Sequence, residues 1–286
     1  MQQPPDSPSS GSAATARSDR SRRAAVTGLA ARRASYVGLA VLSPVIILLI
    51  WDLTTRFGIV RSILLPTRVA VFWATVDVYR RGSAEVTHFT HIGASVARVT
   101  VAFLCAAVLG VIFGLIRGRY RTVDALLLVP SEVIRPIPPL GFIPLFILWF
   151  GIGELSKVLI IFYYVFLVVM LNTQAGVRSC PEESIRAALS LGASSVQVFR
   201  YVIFPAALPQ IMTGMRVGMG SALAILVASE LLGGDRGLGF VILDASNFFR
   251  TSQVFVGLIL IGLLGLISDR GLNFVSRRIV HWEGRK

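Results

Sequence analysis

The residues able to do chemistry are few, and most sit in apolar company. His88 and His91 stand three apart, a spacing at which two imidazoles on one helix face can share a metal, but they lack further ligands nearby. A solvated pair at the entrance to an apolar run accounts for them. Ser95, Ser221 and Ser229 have no histidine at plausible depth, so no Ser-His-Asp or Cys-His grouping can be assembled. The glycine-rich run Gly233-Gly234-Asp235-Arg236-Gly237-Leu238-Gly239 lacks the lysine and the preceding strand of a phosphate-cradling loop, and reads as a turn outside a membrane. Cys105 falls in an apolar run and Cys180 in a polar loop, without metal-type spacing or a disulfide framework; both read as free thiols. What remains is a set of charges within or bordering apolar runs: Arg98, Arg135, Arg216, Glu230 and Asp269. Charge there is costly, and so marks either function or pairing. The sequence therefore predicts no catalytic residue, no metal site, no cofactor and no enzyme.

The elements that must position these charges are membrane helices. With 54% hydrophobic and 15% charged residues and a mean hydropathy of +0.72, the chain is far more apolar than a soluble domain, which is about a quarter charged. Residues 1–35 are rich in Pro, Ser, Ala and Arg and bury too little to fold, which predicts a disordered basic cytosolic tail ahead of a membrane domain over 36–286. The first apolar run, Tyr36 to Thr55, has the length of a span, not of a cleavable signal peptide. Further runs follow at about Ile92–Ile116, Val123–Ile137 continuing through Leu140–Phe150, Leu155–Val177, Ala206–Leu232 and Gln253–Phe274. Two weaker amphipathic pieces, Arg68–Arg81 and Leu238–Arg250, are polar enough to lie at an interface. The expected fold is all-α, a polytopic helical bundle of about six spans. Its third span is broken by Pro136, Pro138, Pro139 and Pro144 into a kinked or re-entrant segment.

All the basic residues but Lys157 and Lys286 are arginine, and their placement gives the topology. With both termini cytosolic, sixteen Arg and Lys of the loops and tails face inside and seven outside, which favours this orientation over its inverse. Glycines recur at helical spacing, Gly110, Gly114 and Gly118 in the second span and Gly214 and Gly218 in the fifth. Such stripes let backbones approach closely, either within one subunit or along a dimer seam.

The most informative segment is the polar loop between the fourth and fifth spans, at about 178–205. Pro181 is a favourable first helical residue, and Glu182 and Glu183 place negative charge at the positive end of the helix dipole. Gly192 ends that helix, Ser194 and Gln197 have capping-box spacing for a second short one, and Pro205 is expected to stop it. Ile185, Ala188, Leu189, Val198 and Phe199 are available to pack. A helix-glycine-helix of this kind superficially resembles a DNA-reading motif, with Arg200 on its second helix. Both its ends run into membrane within a few residues, so no nucleic-acid partner is expected. A docking element on a cytosolic partner is the alternative.

Arg186-Ala187-Ala188, Gly192 four residues later, then Val202-Ile203-Phe204-Pro205 resembles the EAA loop of binding-protein-dependent ABC importer permeases. The sequence keeps that spacing and departs by Arg for Glu at 186, Val for Ile at 202 and Phe for Leu at 204. The likeness extends over about residues 60–286. Arg135-Pro136-Ile137-Pro138-Pro139-Leu140, Trp149-Phe150-Gly151-Ile152-Gly153-Glu154, Thr213-Gly214-Met215-Arg216 and Ser229-Glu230 are similar to the taurine, aliphatic sulfonate and nitrate branch.

This resemblance implies a type I importer permease in a bacterial inner membrane, working as a homodimer with two cytosolic ATPase subunits and an extracytoplasmic substrate-binding protein. It implies an ATPase-coupling loop at Glu182, Glu183, Arg186, Ala187, Ala188, Gly192, Ala193, Ser194 and Pro205. For an anionic substrate, Arg135 at the broken span is the expected attractor, with Pro138, Ser229 and Glu230 also on the path. Taurine or another sulfonate is the first expectation, with nitrate, bicarbonate, phthalate or a thiamine precursor as alternatives. An ATP-independent carrier or channel is a further alternative, although no internal repeat supports it.

Overall fold

The computed structural model describes residues 39–40, 42–81 and 88–282; the expected N-terminal tail, 1–35, lies outside them. Among the described residues every regular element is helical. The chain divides into two compact units, up to Arg68 and from Val69 onward.

The first unit contains α1, residues 42–56, the described part of the expected first span. Trp51 Nε1 donates to the Pro66 carbonyl at 2.9 Å, and Asp52 pairs with Arg56 and Arg68 at 3.0 and 2.8 Å. These contacts fold the segment after α1 back on itself. Arg68 also opens α2 (Arg68–Arg81), the first amphipathic piece.

The second unit is built on α3 (His88–Arg119), α6 (Glu154–Arg178) and α9 (Phe204–Gly233). Small residues decide how these pack. A Cβ at Gly114 would lie 2.5 Å from the Cβ of Thr173, and one at Gly118 would lie 2.6 Å from that of Val177, so α3 and α6 run parallel at backbone contact. The glycines of α9 face α6 as well: a Cβ at Gly214 would meet Asn172 at 2.6 Å, and one at Gly218 would meet Val165 at 3.3 Å. Both stripes are thus consumed within one chain, the first of the two roles open to them. Val99, Ala102, Ala106, Ile161, Val165, Ala222 and Leu226 fill the core between the three helices.

The third apolar run forms α4 (Arg121–Ile134), a short 3-10 turn at Pro139–Phe142 and α5 (Ile143–Phe150). Its halves are bent by 89°, as the prolines dictate. The chain continues through α7 (Glu182–Ser190), α8 (Ser195–Val198), a π-helical turn at Phe199–Ile203 and α9; then α10 (Leu238–Asn247) and α11 (Thr251–Ile279) close the unit. Among the described residues four helices are long and apolar enough to cross a membrane, or five with the bent pair counted as one span. The second amphipathic piece is helical over α10.

Two expectations about local breaks are corrected. Pro181 is the N-cap of α7, with an extended ψ of 130°, and Glu182 is its first helical residue. Pro205 does not stop the second loop helix. The wide π turn just before it absorbs the missing N–H and the ring, and the helix runs on from Ser195 to Gly233.

Candidate functional site

The loop between α6 and α9 is folded and anchored. Gly192 has φ +84°, a left-handed conformation that ends α7 and that a side chain would strain. The Ser194 capping box is complete: its hydroxyl accepts from the Gln197 N–H at 3.4 Å, and the Gln197 side chain accepts from the Ser194 N–H at 2.7 Å. Cys180, Val198 and Ile203 are buried with Val177, Ala207 and Ile211, and Ile185, Ala188, Ala193 and Phe199 pack against them. Burial pushes the Cys180 thiol above its ordinary pKa. Of the residues expected to pack, Leu189 instead turns half out.

The opposite face of the loop is open. Glu182, Glu183, Ala187 and Ser194 are exposed, and Arg186 folds back to Glu182 at 2.6 Å, so the basic residue at the first motif position is answered by an acid one turn earlier. Leu191 is 89% exposed and Val196 74%. The loop is thus packed on one face and carries exposed apolar side chains on the other.

A second feature lies between the bent span and α6. A cleft of about 600 Å³ is lined by Arg117, Ser131, Glu132, Arg135, Tyr163, Tyr164, Asn172, Gln174 and Arg178, with Val217 of α9. Arg135 sits at the end of α4, exposed, and pairs with no carboxylate among the described residues. Arg117 and Arg178 are held by Asp124 at 3.0 and 2.5 Å, and Gln174 donates to the same carboxylate at 2.5 Å. Two guanidinium groups therefore share one carboxylate, and with Arg135 and Glu132 also on the wall the cleft carries one positive charge more than it has acids to answer it. Arg135 is the expected residue of this cleft; the Asp124 group beside it is not foreseen from residue types. Asp124, in an apolar stretch and seven residues from Arg117, was the signal available.

The remaining expected path residues lie elsewhere. Pro138 stands at the bend, exposed. Ser229 is buried beside a water-sized void with Ser156 and Lys157. Glu230 is fully enclosed in an ion cluster at the end of the bundle opposite the loop. It accepts from Ser95 Oγ at 2.7 Å, from Arg98 at 2.6 Å and from the Gly239 N–H at 2.8 Å. Arg98 also pairs with Glu154 and donates to the Arg236 carbonyl at 2.8 Å. His91 accepts from the Gly237 N–H at 3.2 Å and Ser95 from the Leu238 N–H at 2.9 Å. Arg98 and Glu230 were marked by the cost of intramembrane charge, and the structure pairs them with each other. Arg216 and Asp269 likewise pair across α9 and α11 at 3.2 Å.

A helical bundle of this kind is shared with known proteins. Residues 106–281 match the family described as binding-protein-dependent transport system inner membrane component. The chain is 36% identical to the taurine transport system permease protein TauC of Escherichia coli, over 87% of this chain and 90% of that protein. It is 34% identical to a putative aliphatic sulfonates transport permease protein SsuC of Bacillus subtilis, over 85% and 86%. It is 35% identical to the nitrate import permease protein NrtB of a Synechocystis species, over 77% and 82%. A solved structure of the MetNI methionine ABC transporter in an inward-facing conformation shares the fold, with a TM-score of 0.58 at 18% identity over 68% of this chain and 99% of that one. The chain belongs to the binding-protein-dependent transport system inner membrane component family. It is a membrane-spanning permease subunit of an ABC importer.

Proposed function

We propose that this permease imports a small organic anion, with taurine or a related sulfonate as first choice, and that ATP hydrolysis on separate subunits drives it through the loop at Glu182–Pro205. The relatives are named for taurine, aliphatic sulfonates and nitrate, small solutes that share an anionic oxo group, and this supports the substrate class. The observation that carries the mechanism is the two-faced loop, with Cys180, Val198 and Ile203 buried in the bundle and Leu191 presented outward.

In this reading an ATPase subunit seats on Glu182, Glu183, Arg186, Ala187, Ala188, Gly192, Ala193 and Ser194, and Pro205 transmits the movement into α9. Two copies of the chain form a homodimer in a bacterial inner membrane with both termini in the cytosol. Two ATPase subunits stand on the loop side, and an extracytoplasmic binding protein delivers substrate to the other. The cleft at Arg135 is the stretch of the path that holds the anion, because its guanidinium, paired with no carboxylate among the described residues, favours negative charge there. Pro138 keeps that span open, while Glu230, enclosed with Ser95 and Arg98, and the buried Ser229 act from α9 as supports of the bundle around the path and do not line it.

The test is uptake of a labelled sulfonate into vesicles holding the permease and its ATPase, with the cognate binding protein outside. Uptake that requires both ATP and the binding protein is expected. Uptake that proceeds without ATP would establish an ATP-independent carrier or channel instead.

A further inference from the structure

Where α3 ends beside the loop, an apolar cleft of about 470 Å³ opens on the surface, within the roughly 300–1,000 Å³ range of ligand sites. Ile112, Leu115 and Ile116 line one wall, one face of α3 at i, i+3 and i+4, and Val196 and Phe199 form the other. The same stripe of α3 ends one turn later in Arg119, whose guanidinium lies 5.8 Å from the Tyr120 ring at the rim. Arg121 follows, exposed, and neither arginine has a carboxylate partner among the described residues.

The site is thus amphiphilic: an aliphatic trough meets Tyr120 and the guanidinium of Arg119 at one end, and Arg121 adds a second exposed cation two residues further along the chain. Free phosphate would gain nothing from the trough, and a zwitterionic lipid, whose ammonium offsets its phosphate, would gain less from the arginines than an anionic one. An anionic phospholipid uses both, as basic sites beside transmembrane helices do. We propose that this cleft holds an acyl chain of an anionic phospholipid whose phosphate is bound by Arg119 and Arg121. Because Val196 and Phe199 belong to the loop segment, the bound lipid would brace that segment against α3. The binding itself does not depend on which partner the loop meets.

The experiment takes the purified full chain in neutral detergent, adds phosphatidylglycerol and phosphatidylcholine of identical acyl chains in equal amounts, and counts retained lipid by native mass spectrometry. Phosphatidylglycerol is expected to be retained preferentially. Arg119→Ala and Arg121→Ala should each lower its retention about fivefold, and together roughly 25-fold, with phosphatidylcholine unchanged. Val196→Trp, which fills the trough, should lower retention of both lipids. Thermal unfolding of each variant separates loss of binding from loss of fold, and should Val196→Trp not fold, the arginine variants decide alone. Equal retention of the two lipids, or undiminished phosphatidylglycerol in the double arginine variant, would overturn the proposal.

Discussion

The two ends of the α6–α9 pair treat charge and apolar surface in opposite ways. At one end Glu230 is fully buried and receives Ser95, Arg98 and a backbone N–H, and Arg98, 4% exposed, has two carboxylates and a carbonyl to answer its donors. At the other, Glu182 and Arg186 pair in open solvent and Leu191 stands almost fully exposed. A buried, many-partnered ion cluster cannot lose a member without leaving an uncompensated charge, whereas an exposed pair is worth about 0–1 kcal/mol. The first end therefore fixes the shape of the bundle. The second holds its own backbone in place while leaving a surface for something else.

That contrast can be broken at either end. The largest effect expected is from Glu230→Ala, which leaves Arg98 buried with one carboxylate fewer; a loss of about 3–5 kcal/mol should appear as a lowered unfolding midpoint in detergent. A midpoint like that of the parent would mean the cluster does not hold the bundle. Leu191→Glu should leave that midpoint within about 0.5 kcal/mol, since the site is exposed, yet abolish co-purification of the ATPase subunit. Retained association would place the partner surface elsewhere. Smaller again is Arg135→Ala: removing the free guanidinium from the cleft should raise the substrate concentration for half-maximal uptake about tenfold, with the fold unchanged. An unaltered concentration dependence would take Arg135 off the path.

Much of this architecture was legible from residue types. Proline spacing foretold the 89° bend because missing N–H groups and ring sterics act locally. The glycine turn at 192 and the Ser194–Gln197 box were legible for the same reason. Pro205 misled because the π turn that accommodates it has no proline-like signature of its own. Intramembrane charges announced themselves singly, but their partners, 132 and 56 residues away for Arg98, follow only from the tertiary arrangement of three helices. The cleft of Arg135 was equally out of reach, since Asp124, Gln174 and Arg178 meet only once α4 and α6 are packed.

The claim that the loop transmits ATP hydrolysis to the spans is tested most directly at Gly192. No neighbouring atom would meet a Cβ there, so Gly192→Val changes only the left-handed backbone, at a cost of about 1–3 kcal/mol to the turn. Binding-protein-stimulated ATP hydrolysis is then measured on the complex in vesicles. Loss of the stimulation, with the bundle's unfolding midpoint preserved, is the expected result. Stimulated hydrolysis at the parent's level, together with unchanged uptake, would contradict the account.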